Sequence, residues 1–198
     1  MQERRSNSER TQETRRALLE AGRMLFVEHG FQGTSTPEVV ARAGVTRGAL
    51  YHHFADKRAL FGAVLEAEGA AVASEIAEGA RGSDDALETL RRGAKAYFKA
   101  MSDPARARLM LVEGPAALGP QEMRRIDLDT GGRELRLGLA EAMSGQVTKA
   151  EIEARADLIS AMFDRAALAR ANGSPRASYE RAMDAILVAV ASAPPVHM

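Results

Sequence analysis

Residues 34–60 read TSTPEVVARAGVTRGALYHHFADKRAL, and almost every position in the stretch has a local structural reason. Ser35 and Glu38 stand three apart, the spacing of a capping box, in which each side chain satisfies a backbone N–H left orphaned at a helix start. Pro37 falls in the first turn, where its missing N–H would have had no intrahelical partner. Val39, Val40 and Ala43 supply one apolar face, so a short helix is predicted over Ser35 to Ala43. Gly44 then permits a left-handed turn. Thr46 caps a second short helix reaching about His53, with Val45 and Leu50 plugging the crossing, and Asp56 caps a longer helix running towards Ala80.

Two short helices joined at a glycine form a helix-turn-helix, whose second helix lies in the major groove with its amino-terminal residues near base edges. Here those early, partly solvent-facing turns carry Arg47, Gly48, Ala49, Tyr51 and His52. Taken alone, the local pattern fits an αα corner about as well. His52 and His53 are adjacent, so on a helix they point about 100° apart and cannot both ligate one metal ion.

Outward from this stretch the chain reads as helix. Its 198 residues are 45% apolar and 27% charged, which suits a globular protein of one compact unit or two small ones. Cysteine is absent, which rules out a disulfide scaffold, a thiolate nucleophile and cysteine-ligated clusters. No apolar run approaches the ~20 residues of a membrane helix, and Met1 to Arg16 has no signal-like apolar core, so a cytoplasmic, nucleoid-associated protein is expected. Lys plus Arg balance Asp plus Glu at 27 each, but residues 1–60 carry an excess of +3 and the remainder −3. A polyanion-facing head on a mildly acidic body would produce that gradient.

Before the quoted stretch, a helix is predicted over about Thr14 to His29, with Leu18, Ala21, Leu25 and Phe26 on one stripe and Gly30 ending it. After it, helices are predicted over Asp84–Met101, from Pro104 to a break at Gly114-Pro115, and over Pro120–Met143 with an interruption at Gly131-Gly132. Two periodic helices, Lys149–Ala171 and Pro175–Ala193, close the chain. The fold class is therefore all-α, a three-helix head joined by one long helix to a helical-bundle body, divided into residues 1–55 and 56–198.

The combination Gly44, Val45, Gly48, Leu50, Tyr51, Phe54, Lys57 and Leu60, with the preceding TSTPEVVAR and GFQGTS, resembles the DNA-binding head of the tetracycline-repressor (TetR) family over about residues 10–65. Val40 departs from the alanine usual there, and Ala49 replaces a common threonine, exchanging a hydroxyl for a methyl suited to thymine. The resemblance implies a double-stranded DNA operator as partner. Thr46, Tyr51 and Lys57 suit phosphate oxygens, as do Ser35 and Thr36 at the preceding helix start. Arg47 suits bidentate contact with guanine, Gly48 admits the backbone closely, and His52 faces phosphate or base. Arg4, Arg5 and Arg10 are expected in an arm before the first helix.

The resemblance further implies a homodimer and a small-molecule effector. The last two helices are expected to pair, through Ile152, Ala156, Ile159, Phe163 and Ala166 on one and Tyr179, Met183, Ile186, Leu187 and Val190 on the other. Packing within one chain explains the same stripes. The segment RARLMLVEGPAALGPQEMRRID (Arg106 to Asp127) resembles a carboxy-terminal type found in part of the family. Tyr97, Phe98, Met101, Met110, Glu113, Leu118, Met162 and Phe163 are candidate lining residues of an effector cavity, though each also fits an ordinary core. No charged constellation identifies the effector. The expected function is a ligand-relieved repressor on a palindromic operator, with activator action the alternative. A helical adaptor or an enzyme is a weaker one, since no phosphate loop, nucleophile elbow or metal-spaced set is found. No cofactor or metal is expected.

Overall fold

The computed structural model describes residues 7–143 and 147–192; Arg4 and Arg5 lie outside them. Among the described residues every regular element is helical. The order is α1 (Asn7–Gly33), α2 (Thr36–Ala43), α3 (Arg47–His53), α4 (Lys57–Ala80), α5 (Ala86–Ala100) and α6 (Pro104–Arg108). A π turn (Leu109–Glu113) leads into α7 (Gly114–Leu118), followed by α8 (Pro120–Asp129), α9 (Gly131–Ala142), α10 (Lys149–Ala171) and α11 (Arg176–Ala191).

Side-chain caps place the head helices. Ser35 and Glu38 form both halves of the capping box, Thr46 accepts from the Ala49 N–H at 3.1 Å, and Asp56 accepts from Ala59 at 2.7 Å. Gly44 closes α2 in the left-handed conformation. The chain of α1 starts at Asn7, seven residues ahead of the predicted start, so Arg10 sits inside a helix and not in an arm. Its break does fall at Gly30, with one more helical turn beyond it.

Leu18, Leu25, Phe26, Val39, Leu50 and Phe54 bury the head's apolar faces. The same cluster continues through Leu60, Phe61 and Leu65 of α4 to Leu109, Leu118 and Ile126. Phe26 meets Phe61 edge-on at 4.7 Å, and Phe31 lies 5.0 Å from Phe61. One shared apolar cluster thus ties the head to α4 and to the near end of the body. A second, around Phe98, Leu139, Ile159, Phe163, Met183 and Leu187, holds α5, α9, α10 and α11 together.

The predicted break at Gly114-Pro115 is absent. Pro115 has no N–H to give, and the π turn just before it absorbs the mismatch by lengthening the hydrogen-bond step, with Gly114 N–H donating to Leu109 O. The helical run ends instead at Gly119. The interruption near Gly131 is found at Thr130, which leaves helical geometry between α8 and α9.

Ion pairs add a second link between head and body. Glu68 of α4 is 6% exposed and is held by Arg23 of α1 and by Arg106 of α6, the latter at 2.8 Å. Arg106 also reaches Glu75 at 2.9 Å and the Ala100 carbonyl at 3.1 Å. A buried carboxylate is tolerated when paired this fully.

Candidate nucleic-acid interface and body cavities

On α3 one residue is buried and its neighbours are not. Leu50 points into the core while Arg47, Gly48, Tyr51 and His52 are exposed, and Ala49 is half-buried. That is the amphipathic pattern of a helix anchored by one face and offered by the other. The Arg47 guanidinium lies 5.5 Å from the centre of the Tyr51 ring, a contact that pre-orders two long side chains on this face. Hydrogen bonding by Thr36, and next by Arg47, holds the Tyr51 phenol below its ordinary value. Ser35 is exposed and Thr36 half-buried at the start of α2, beside this surface.

Lys57 differs from the other candidates. Its ammonium donates to the Phe31 carbonyl at 2.8 Å and the Thr34 carbonyl at 2.9 Å, and lies 4.4 Å from the Phe31 ring. Two of its three protons are spent tying the end of α1 to the entry of α2. Lys57→Ala should therefore lower the free energy of unfolding by about 1–3 kcal/mol, the scale of hydrogen bonds to charged groups. Urea denaturation measures it; unchanged stability would leave phosphate charge as the side chain's whole contribution.

In the body, a cavity of about 540 Å³ lies between α4, α5, α8 and α10 and is lined by Tyr97, Met101 and Met110 among others. A second, of about 230 Å³, is lined by Tyr97 and Phe163. The two share Tyr97, Asp127, Gly131 and Ser160. Four of the eight predicted lining residues face neither. Phe98 is turned into the core, one helical step (about 100°) from Tyr97. Leu118 is buried in the cluster beneath the head. Met162 is 39% exposed on the outer face of α10. Glu113 accepts from the Phe31 N–H at 3.1 Å and pairs with Arg108 at 3.0 Å, so it faces the head at the Gly30 kink.

The lining groups that sequence reasoning missed are Asp127, Ser160 and Asp164. The Tyr97 O–H donates to Asp164 at 2.7 Å, and the Ser160 O–H to Asp127 at 2.9 Å. Burial pushes the Asp164 carboxyl up to about 6 and raises Asp127 in the same direction. The spacing of Ser160 and Asp164, four apart on one helix face, is visible in the sequence; their juxtaposition with Asp127 is not.

A helix-turn-helix whose second helix is pinned by Leu50 and otherwise free defines a helix-turn-helix DNA-binding protein. The profile described as bacterial regulatory proteins, tetR family, matches residues 18–64, and that described as tetracyclin repressor-like, C-terminal domain, matches residues 87–193. The chain belongs to the TetR family, whose members are DNA-binding transcriptional regulators and not enzymes. It is similar to the HTH-type transcriptional repressor AcnR of Corynebacterium diphtheriae, 39% identical over 64 residues, which cover 32% of this chain and 34% of AcnR. It is also similar to the HTH-type transcriptional activator FasR of Mycolicibacterium smegmatis, 28% identical over 127 residues, covering 64% and 58%. The alignment thus spans only about a third of AcnR. Among solved structures, a TetR-family transcriptional regulator from Pectobacterium atrosepticum is 29% identical with a TM-score of 0.70, covering 96% of this chain and 100% of that one. No helix of the described residues is long and apolar enough to cross a membrane.

Proposed function

We propose that the protein is a ligand-relieved repressor that binds a two-fold symmetric operator as a homodimer, working in the cytoplasm on the chromosome. The carrying observation is the free face of α3, with Arg47, Tyr51 and His52 exposed around buried Leu50. In this reading Arg47 contacts guanine, Ala49 meets a thymine methyl, and Gly48 lets the backbone approach. Ser35, Thr36, Thr46, Tyr51 and His52 lie against phosphates, with the remaining proton of Lys57. The head comprises residues 1–55 and the sensing and pairing body 56–198, with α4 common to both.

Pairing through α10 and α11 is supported by their outer faces. Leu158 is 67% exposed and stands one turn from Met162, while Ala182, Ala185 and Ala189 are exposed along α11. Apolar and small side chains on adjacent outward faces suit a four-helix interface between two copies. The inward residues named from the sequence, Ile159, Phe163, Met183 and Leu187, are buried within the protomer and serve its own core.

Coupling follows from the segment between α6 and α8. Met110, Leu111 and Pro115 line the larger cavity, while Glu113 from the same turn holds Phe31 of the head. A ligand that moves this turn moves the contact with α1. If its differential affinity for the released arrangement is ~3 kcal/mol, operator binding weakens roughly 150-fold, and the operator weakens ligand binding equally. FasR is named an activator; that mode would use the same α3 contacts, and a reporter with the operator placed upstream of or across the promoter separates the two.

The test is selection of bound duplexes followed by affinity measurement. Arg47→Ala should lose about 1–3 kcal/mol of discrimination at one base pair per half-site, with non-specific binding nearly unchanged. A uniform loss across all sequences would make Arg47 a phosphate contact and overturn its assignment as the reading residue.

A further inference from the structure

We propose that the larger body cavity takes an apolar molecule carrying a protonated amine, its ammonium seated on Asp127 and Asp164. The inference deepens the reading of the body as an effector site and rests on it.

The cavity has an apolar lining from α4 to α10, with Val72, Met101, Met110, Met123 and Leu168 among its walls. Around its two carboxylates the uncharged donors are already spent; the cationic groups of its lining are Arg124 and Arg165. The Tyr97 O–H is given to Asp164 Oδ1, the Ser160 O–H to Asp127 Oδ2 and the Gly132 N–H to Asp127 Oδ1. Thr130 donates back to the Ile126 carbonyl at 2.7 Å. What faces the space is acceptor capacity: the remaining lone pairs of Asp127, and Asp164 Oδ2, which has no donor among the described residues.

Neither carboxylate has a cation of its own among the described residues. Arg124, whose charge acts on Asp127 without an ion pair to it, is paired with Asp157 at 2.7 Å, and Arg165, which also lines the cavity, is exposed on α10. Two carboxylates half-removed from water without a counter-ion are costly, and an ammonium delivered by a ligand supplies what is missing. The Tyr97 phenol is pushed well above its ordinary value by burial and then by Asp164, so it stays a donor to that carboxylate and adds no charge. A carboxylate or phosphate head set against Asp127 and Asp164 would meet acceptors, and would have to seek Arg124 or Arg165 elsewhere on the lining instead. The apolar remainder of the ligand fits along Met101, Met110 and Met123, unbranched side chains that adapt to the shape of a guest. The smaller cavity shares Tyr97, Asp127, Gly131 and Ser160 with this one.

Phenylbutylamine, phenylbutanol and phenylbutyrate share one skeleton and differ in the head group. Isothermal titration of the full chain near pH 7.5 should give the amine at least about tenfold tighter binding than the alcohol, equivalent to about 1.4 kcal/mol, with the carboxylate weakest. Asp164→Asn and Asp127→Asn should each lower amine affinity, and the double variant should bring it to that of the alcohol. Unchanged alcohol affinity in the variants reports an intact cavity. Equal binding of the three probes, preference for phenylbutyrate, no binding of the amine, or an amine preference that survives both substitutions would each overturn the proposal. Operator affinity measured with saturating amine tests the underlying reading separately. Amine binding lost in the Asn variants but without effect on DNA would uphold the ligand class and refute the effector role.

Discussion

Gly30→Ala is expected to lower the stability of the whole chain by about 3 kcal/mol or more, through strain and steric terms that act together. Gly30 holds φ 71° and ψ 175° near the C-terminal end of α1, a region that only glycine occupies at ease and that costs other residues of order 1–3 kcal/mol. An added Cβ would also stand 2.9 Å from Glu113 Oε1 and 3.2 Å from Arg108 Nη2. Relieving that contact displaces the carboxylate that accepts from the Phe31 N–H, an amide the kink itself leaves without a helical partner. The Gly30 carbonyl is meanwhile held by the Thr34 hydroxyl at 2.8 Å, so the kink cannot easily turn away. Gly44 is the control. It too has a positive φ, 65° with ψ 30°, but nothing lies within 4 Å of its missing Cβ. Gly44→Ala should cost only about 1–2 kcal/mol, the ordinary left-handed penalty. Urea denaturation of both variants measures the difference; equal losses would show that the contact with Glu113 has no energetic consequence.

The parts of the head that were legible are those written in adjacent letters. Ser35 with Glu38, Thr46 with Ala49 and Asp56 with Ala59 are all three-residue relations, and each is a hydrogen bond in the structure. Helical periodicity likewise located α10 to the residue at both ends, because its capping box at Thr148 and Glu151 and its stop near Asn172 are local. Periodicity predicts which side chains share a stripe, and so placed Tyr97, Met101 and Met110 together on one cavity. It does not say which of two apolar stripes faces a void and which a neighbour, and Phe98 fell on the wrong side for that reason.

What stayed illegible depends on distant segments meeting. Gly114-Pro115 reads as a break from local rules, yet the π turn directly before it keeps the helix continuous. Glu113 reads as a polar group in a ligand-binding stretch, but its partner is Phe31, 82 residues away. Lys57 reads as a surface charge beside a helix start, while the carbonyls it holds belong to Phe31 and Thr34. Asp127 and Asp164 sit on separate helices, α8 and α10, and only packing brings them to one wall. The exposed face of α3 is set by local relations and so was readable; the cavity wall is assembled from several helices and was not.

Asp164→Asn should stabilise the protein at neutral pH and have little effect near pH 4. The folded chain holds the Asp164 proton up to about pH 6, against an ordinary value of 3.8, with burial as the main cause and the charge of Asp127 adding to it. A raised folded value means the native state binds the proton more tightly than the unfolded chain does. The contribution is therefore fully present below about pH 4 and is lost as pH rises through 6, amounting to ~3 kcal/mol. Asparagine removes that loss while its side-chain oxygen can still accept the Tyr97 O–H, so the hydrogen bond at 2.7 Å survives the change. Chemical denaturation at pH 4 and pH 7.5 should show the variant nearly equal to the parent at the first and about 2–3 kcal/mol more stable at the second. A variant less stable than the parent at pH 7.5 would mean that the ionised carboxylate is stabilised in the free protein, and the argument for a missing cation would fall with it. The expected result has the opposite meaning: ionised Asp164 lowers stability when the cavity is empty, and an ammonium beside it would return that free energy on binding, so one substitution should strengthen the fold and weaken amine binding.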